Sequence, residues 1–553
     1  MPARRLIVLA TALLATPAAP AAAGTFTKSG VPPPTRAVSY STLERFDHAI
    51  VATRPGLRAK LVLAARGARL LSPALGLWRV ASRSARDVSE RLKLFGALRY
   101  VEPDRPVYPS GHLTHGDPLA TPDLAWHLYR IGADQLEPPG PGVPITILDA
   151  GIHLSHQEFR SRPNTFLLNQ QEVSSTFPSE YHGTFVASTA AAPADGVGTV
   201  GVYPDAVLRS YDIRVFTDAS IVEALEHALA AGGPTIINLS FGGPEPSRAL
   251  HEAVLRAFDS GSIVVASSGN DFLRGNPLNY PAGYPHVMTV AATDRQDGPS
   301  LFSSSAGVID VAAPGEGLPF AHPTDSTFRT LTGTSFSAPI VTAAAAWLWT
   351  SRPELDKTQV IELLRSSARD LAPAGFDART GFGVIDLPAA LTRTPPIVDP
   401  QEPNDDIPQV TAGGVFPRAN KLLTTHRKPN TRFRARLERS EDPDDVYRVL
   451  IPAGRQVSIS IFSNGDPGAT LWNPETRSVL TNKLSARRNW LAASNRPGRQ
   501  AERLVYRNDG KKAIVAYLDV WIPKNAFERR LRYTVSIRTS RDRGSPNGLG
   551  ARP

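Results

Sequence analysis

Gly333-Thr334-Ser335-Phe336-Ser337-Ala338-Pro339 runs directly into the apolar segment Ile340-Val341-Thr342-Ala343-Ala344-Ala345-Ala346-Trp347-Leu348-Trp349. Small residues allow the backbone close approach at Ser335, and proline is tolerated in a helix only near its first turn, so a helix is predicted to begin close to Ser335. A hydroxyl is thereby placed where unpaired backbone N–H groups and the positive end of the helix dipole gather, a setting that favours an oxygen becoming negative during a reaction. Two readings fit: a nucleophilic serine, and an ordinary serine N-cap, which is the commoner use of such a residue. The rest of the chain decides between them.

The chain has 553 residues, of which 41% are hydrophobic and 20% charged, proportions of a globular protein with material for several domains. Residues 1–23 combine a basic start, an apolar run from Leu6 to Ala15 and the small residues Ala21-Ala22-Ala23, the pattern of a secretory signal peptide. The expectation is an exported, extracellular protein with no stable membrane anchor. It contains no cysteine, so burial and bound ions, not disulfides, would have to hold it together outside the cell. The net charge of +10 is unevenly spread: residues 1–110 carry 17 basic against 6 acidic residues, 111–395 carry 16 against 29, and 396–553 carry 28 against 16. The basic excess lies at the two ends, which argues against a nucleic-acid partner and for attraction between a basic N-terminal segment and an acidic middle.

Residues 24–53 read as a linker. Beyond them, Ala59-Lys60-Leu61-Val62-Leu63, Leu75-Gly76-Leu77-Trp78-Arg79-Val80 and Leu98-Arg99-Tyr100-Val101 read as strands, with Val88, Leu92 and Phe95 at helical spacing. This is a small α+β unit, folded over about 56–108. From Asp117 to Pro395, apolar runs at Ile145–Leu148, Val207–Tyr211, Ile236–Leu239 and Ile263–Ala266 alternate with helical patterns at Ile221–Ala230 and Ala249–Phe258. Such alternation predicts a doubly wound parallel sheet, an α/β domain with helices on both faces. After the acidic run Asp399-Pro400-Gln401-Glu402-Pro403-Asn404-Asp405-Asp406 the pattern becomes strand-like, as at Val457–Ile461, Ile514–Leu518 and Tyr533–Ile537, with turn residues between. An all-β sandwich is predicted there, followed by a loose tail at 541–553.

Three further elements carry chemistry. The strand Ile145–Leu148 ends at Asp149-Ala150-Gly151, and ligands of parallel sheets bind beyond the carboxyl ends of the strands. His182-Gly183-Thr184-Phe185-Val186-Ala187 opens a helical pattern with a histidine. Ser268-Gly269-Asn270 follows a buried strand and offers a side-chain amide able to donate to an oxyanion. Together with Ser335 and its flanks, these segments resemble, in sequence order, the three catalytic motifs and the oxyanion asparagine of the subtilisin-like serine proteases. Gly198–Pro204, Ile237–Gly243, Asn279–Ala282, Phe302–Ser304 and Ala313–Gly315 resemble the supporting stretches between them.

The resemblance covers about 115–395 and implies the following. Asp149 orients His182, His182 takes the proton of Ser335, and Ser335 attacks a peptide carbonyl while its own N–H and Asn270 receive the oxyanion. Ser240, Gly242 and Gly243 line the edge where substrate backbone pairs. Asn279 lies near the base and Asp271 near the rim of the primary specificity pocket, so Lys or Arg would be accepted beside apolar residues. No cofactor is required. Partners are protein or peptide substrates and the chain's own prosegment, residues 24–110, acting as an intramolecular inhibitor until removed. The remaining chain divides into the catalytic domain at 115–395, a linker at 396–407 and a C-terminal β domain at 408–540 of the kind attached to secreted bacterial peptidases. The acidic run reads equally as a solvated linker and as a structural calcium site. Two departures stand out: Ala150 replaces the usual Ser or Thr after the aspartate, and Phe336 stands where many members have Met. The rival reading is an inactive scaffold that binds through its β domain at a surface.

Overall fold

The computed structural model describes Leu43 and residues 47–104, 108–109, 112–113 and 125–541, the last apart from 161, 170–180, 196–197, 322–327, 440, 481–486, 525 and 527–528. The signal-peptide segment and residues 542–553 of the expected tail lie outside the described residues, while Arg541 ends a strand.

The N-terminal unit is a four-stranded antiparallel sheet, β1 (His48–Thr53), β2 (Arg69–Ser72), β3 (Leu77–Ala81) and β4 (Leu98–Pro103), in the order β2-β3-β1-β4. Two helices belong to it, α1 (Leu57–Ala64) and α2 (Ser82–Leu94). Two expectations are corrected here. Ala59–Leu63 is helix, not strand: its Leu57 and Leu61 are exposed while Ala59 and Leu63 are buried, the i, i+4 spacing of one helix face. Residues 48–53 are not linker but a central strand. Ala49 and Val51 pack with Val88 and Leu92 of α2, whereas Ile50 and Ala52 face the rest of the molecule. With both faces covered, the strand shows no polar alternation to read.

Two short strands follow, β5 (Tyr108–Pro109) and β6 (His112–Leu113). Then comes a seven-stranded sheet in which every pair is parallel: β7 (Ile145–Asp149), β8 (Thr165–Leu167), β9 (Leu208–Asp212), β10 (Ile236–Leu239), β12 (Ile263–Ser267), β13 (Val287–Thr293) and β14 (Val311–Pro314), ordered β14-β13-β12-β10-β7-β9-β8. A short β11 (Phe241–Gly242) follows β10. The period of two along these strands divides the apolar residues between two cores. Ile145, Ile147, Ile236, Ile263 and Val265 pack with α3 (His182–Ala191) and with the central α6 (Thr334–Ser351). Leu148, Ile237, Leu239, Val264 and Ala266 pack with α4 (Asp218–Ala230) and α5 (Arg248–Asp259). Helices on both faces of a parallel sheet make the doubly wound α/β fold expected from the sequence.

The N-terminal sheet joins the second core: Ile50, Ala52, Leu71, Leu75, Leu77 and Tyr100 belong to the same cluster as the apolar faces of α4 and α5. Acidic side chains finish the contact. Glu102 accepts hydrogen bonds from Ser247 Oγ (2.8 Å) and from the N–H groups of Arg248 (2.7 Å) and Ala249 (2.5 Å), and Asp104 accepts from the N–H of Ala219 (2.7 Å). Both carboxylates thus sit on helix N-termini, where unpaired N–H groups and the dipole favour them. Basic-to-acidic attraction contributes through Arg99 on Glu252 (2.6 Å), but the two buried carboxylates have the opposite sense to that expected from net charge.

At the C-terminal end, β17 (Thr431–Glu438), β18 (Asp444–Ile451), β19 (Arg455–Ser463), β20 (Gly468–Trp472), β21 (Trp490–Ser494), β22 (Glu502–Asn508), β23 (Ile514–Trp521) and β24 (Arg530–Arg541) form two four-stranded antiparallel sheets, β17-β24-β19-β22 and β18-β23-β20-β21. They enclose one apolar core that includes Tyr447, Ile459, Leu471, Leu518 and Val535. This sandwich meets α7 (Lys357–Ser367) of the α/β unit through Arg530 on Glu362 (2.6 Å) and through Arg365, which binds both Asp310 (2.7 Å) and Glu441.

Candidate active site

β7 delivers Asp149 at its carboxyl end, fully buried. His182 is the first residue of α3, and its Nδ1 lies 2.9 Å and 3.0 Å from the two Asp149 oxygens. Gly183 is required by the packing: a Cβ there would strike the carbonyl of Gly151 and come within 3.2 Å of Asp149 Cβ, so any larger residue would push the helix off the aspartate. Asp149 Oδ1 also accepts the N–H of Ala150 (2.7 Å). The backbone therefore supplies a donor beside the place where a hydroxyl is missing from residue 150.

Ser335 is fully buried in the first turn of α6. Helix α6 begins at Thr334, beside Ser335 as the sequence predicts, and holds Pro339 in its second turn, with a local consequence. Proline has no N–H, so the Ser335 carbonyl has no i+4 helical donor. Ser240 Oγ supplies the missing bond at 2.8 Å, and Ser335 Oγ in turn donates to the Ser240 carbonyl at 3.0 Å. Behind this exchange stands a buried polar chain: Thr342 Oγ1 donates to Asn238 Oδ1 (3.0 Å) and Asn238 Nδ2 to Ser240 Oγ (2.8 Å). The only trace of it in the sequence is the polar Asn238 inside an otherwise apolar strand. His182 Nε2, buried and without a hydrogen-bond partner among the described residues, is open to a proton from a nucleophile.

Asn270 follows β12 in a turn made by Gly269, whose φ of +101° and contact with Asn279 both exclude a side chain. Asn270 Oδ1 accepts from the N–H of Thr334 (3.0 Å) and from Thr334 Oγ1 (3.1 Å). Its acceptor end is thus committed to Thr334. Nothing in the sequence singles out Thr334, where it is one small residue among several.

The expected substrate-binding residues separate. Gly242 lies on β11, which pairs antiparallel with the chain's own Tyr108–Pro109: Phe241 opposes Pro109 and Gly242 opposes Tyr108. Across the site, β16 (Phe328–Thr332), the strand leading into Ser335, pairs with β15 (Leu318–Ala321) and with β6, Leu331 opposing Leu113 and Thr332 opposing His112. Gly243 exchanges both backbone hydrogen bonds with Tyr280 (3.0 and 2.8 Å), which commits its backbone within the fold. Ser240 is tied to Ser335, as described. Asn279 Nδ2 donates to the Ser268 carbonyl (3.2 Å), and Asn279 Cβ lies 3.5 Å from where a Cβ on Gly242 would stand. Asp271 is partly exposed and has Arg274 3.9 Å away, a cation that offsets the pull its carboxylate would exert on a basic side chain.

Phe336 is buried, its ring centroid 5.9 Å from that of His182. No thioether lies next to Ser335, and Met288 is fully buried in β13. Peroxide is expected to inactivate the parent more slowly than a Phe336→Met variant, whose new sulfur would oxidise beside the site. Residual activity after timed exposure checks this, and equal rates would count against it.

An acid and a histidine in contact, a serine at a helix N-terminus and an amide beside it, at the carboxyl end of a parallel sheet, define a hydrolase of the serine type. Residues 140–383 match the model of the subtilase family. The chain is 35% identical to subtilisin DY of Bacillus licheniformis over 259 residues, 45% of this chain and 91% of that protein. It is 34% identical to subtilisin BL of Lederbergia lenta over 276 residues, 48% of this chain and 98% of that one. The fold of fervidolysin from Fervidobacterium pennivorans, a keratinolytic enzyme related to subtilisin, superposes with a TM-score of 0.56 over 89% of this chain and 92% of that one, at 18% identity. The chain belongs to the subtilase family and is a subtilisin-like serine endopeptidase. Its substrates are proteins or peptides, and hydrolysis by this family needs no cofactor.

Proposed function

We propose that this chain is an exported endopeptidase that matures by cutting itself, with Asp149, His182 and Ser335 as its triad and Asn270 as oxyanion donor. Asp149 fixes the tautomer of His182, leaving Nε2 free to take the Ser335 proton as Oγ attacks the carbonyl; the resulting oxyanion is received by the N–H of Ser335 and by Asn270 Nδ2. His182 then protonates the leaving amine, and water discharges the acyl-enzyme by the same route. Gly242 offers the strand edge to the substrate, while Asn279 closes the pocket for the residue preceding the cut. Residues 24–110 act as the inhibitory prosegment and 408–540 as the accessory β domain. Residues 1–23 direct export, and the mature enzyme works outside the cell. A structural cation belongs to this reading but takes no part in the chemistry.

The observation that carries the proposal is the pairing of the chain with itself on both sides of Ser335: Tyr108–Pro109 on Phe241–Gly242, and His112–Leu113 on Leu331–Thr332. A peptide extended along both edges presents the bonds between them to the nucleophile. Incubating the purified full chain and sequencing the product is expected to give a new N-terminus at Ser110, Gly111 or His112. An organophosphorus probe should label Ser335. An unlabelled and uncut chain would favour the inactive scaffold instead.

A further inference from the structure

The acidic run is buried, not solvated. Asp399 and Asp405 are 5% and 6% exposed, Asn404 is fully buried, and from β18 and the turn before it come Asp445 and Asp442, 0% and 8% exposed. Carboxylate oxygens of Asp399, Glu402 and Asp445 all lie within 4.8 Å of one another. Such a gathering of negative charge out of water is costly unless something positive sits in it.

The local partners do not meet that need. Asp399 is met by Arg436, through Nε at 3.0 Å and the backbone N–H at 3.2 Å. Asp445 accepts from Asn404 Nδ2 (2.8 Å) and from Tyr533 OH (2.5 Å). Both oxygens of Glu402, Oδ1 of Asn404 and Oδ1 of Asp442 are buried with no hydrogen-bond partner among the described residues. The orphan oxygen of Asn404 belongs to the amide whose Nδ2 contacts Asp445. A cavity of about 230 Å³, lined in part by Asp399, Glu402 and Asp442, adjoins the group. Burial and mutual repulsion push Glu402, Asp442 and Asp445 well above the ordinary carboxylate range, as expected where a positive charge is wanting.

A second arrangement, His286 with Glu402 and Asp405, also brings ligand atoms together, but there Asp405 is already satisfied. Asp405 accepts from His286 Nε2 at 3.0 and 3.1 Å and from Gln409 Nε2 at 2.7 Å. The open set is made of oxygens alone, carboxylates with one amide carbonyl, which suits a hard cation of high coordination number.

We infer that Asp399, Glu402, Asn404 and Asp445, with Asp442 beside them, bind one calcium ion that clamps the segment joining the α/β unit to the sandwich. Two ligands come from that segment's start, one from Asn404 and one from β18, while Asp405 ties the same segment back to His286 of the α/β unit. The ion thus fixes how the sandwich is carried.

The test uses the full chain as the Ser335→Ala form, which cannot digest itself, stripped with EDTA and dialysed. Calcium bound per chain is measured by equilibrium dialysis, and terbium luminescence is excited through tyrosine, since Tyr533 contacts Asp445. Glu402→Gln, of equal size, is expected to bind one calcium fewer than its parent and to lose the tyrosine-sensitised emission; Asp445→Asn should do the same. Circular dichroism confirms that each variant is folded. Equal calcium stoichiometry and equal emission in parent and folded Glu402→Gln would overturn the site, and would mean that Glu402 and Asp445 share a proton instead.

Discussion

Ser335→Ala is expected to lower kcat by about 10⁶-fold, the size of loss known for the corresponding change in subtilisin itself, and to leave the N-terminal segment attached. The two outcomes have one cause in the proposed mechanism, because the nucleophile that cuts substrates also cuts between Pro109 and His112. The change is structurally mild. It removes the bond from Ser335 Oγ to the Ser240 carbonyl but not the bond from Ser240 Oγ to the Ser335 carbonyl, which needs only the backbone of residue 335. Stability should fall by no more than about 1 kcal/mol, so loss of activity cannot be ascribed to unfolding. The decisive measurement is the mass of the chain expressed and incubated in a protease-free system. Normal processing of the alanine form would place the cut in another enzyme's hands.

Asn270→Ala is expected to reduce kcat by about 10²–10³-fold with KM little changed, again a magnitude measured on subtilisin. Asn270 is held at its acceptor end by both donors of Thr334, and in the proposed mechanism its NH₂ meets the substrate oxygen as that oxygen gains charge. Truncation would also strip a buried N–H of its partner, costing about 1–3 kcal/mol of stability. Asn270→Asp separates these effects: it keeps an acceptor for Thr334 but turns a carboxylate oxygen towards the developing oxyanion. Steady-state kinetics on a peptide substrate should find both variants similarly impaired in kcat, with the aspartate form recovering thermal stability only. A fall in KM-dependent terms alone would assign Asn270 to ground-state binding.

The parallel sheet was legible because its central strands β7, β10 and β12, buried on both faces, are short and largely apolar runs between turn signals, and the motifs sit where those strands end; the edge strand β8, with Phe166 exposed, carries no such signal. The same physics hid β1. His48–Thr53 is equally apolar on both faces, but it has no flanking repeat of strand and helix to frame it, and so it reads as linker. Ala59–Leu63 misleads for another reason: five residues with one polar member fit a strand as well as a helix, and only the burial of Ala59 and Leu63 together decides. Asp149, His182, Asn270 and Ser335 could be named from their motifs. Ser240, Thr334 and Asn238 could not be given their roles, since these depend on a helix carbonyl left open by Pro339 and on contacts between segments far apart in the chain. The acidic run divided two readings evenly because charge in a sequence carries no sign of burial.

The core shared by the N-terminal sheet with α4 and α5 bears on time as well as on space. A cut between Pro109 and His112 severs one covalent link, yet Ile50, Leu71, Leu77 and Tyr100 remain embedded among the apolar side chains of those helices, with Glu102 and Asp104 still seated on their ends. The freed piece would therefore stay bound as a product that blocks its own producer. Its departure uncovers an apolar facet to water, which slows dissociation. On the proposed reading, scission and the onset of turnover would be two clocks, the second set by how fast the detached unit is lost or digested, and the activity of a freshly cut population would rise with a lag that shortens as the first free molecules consume the rest.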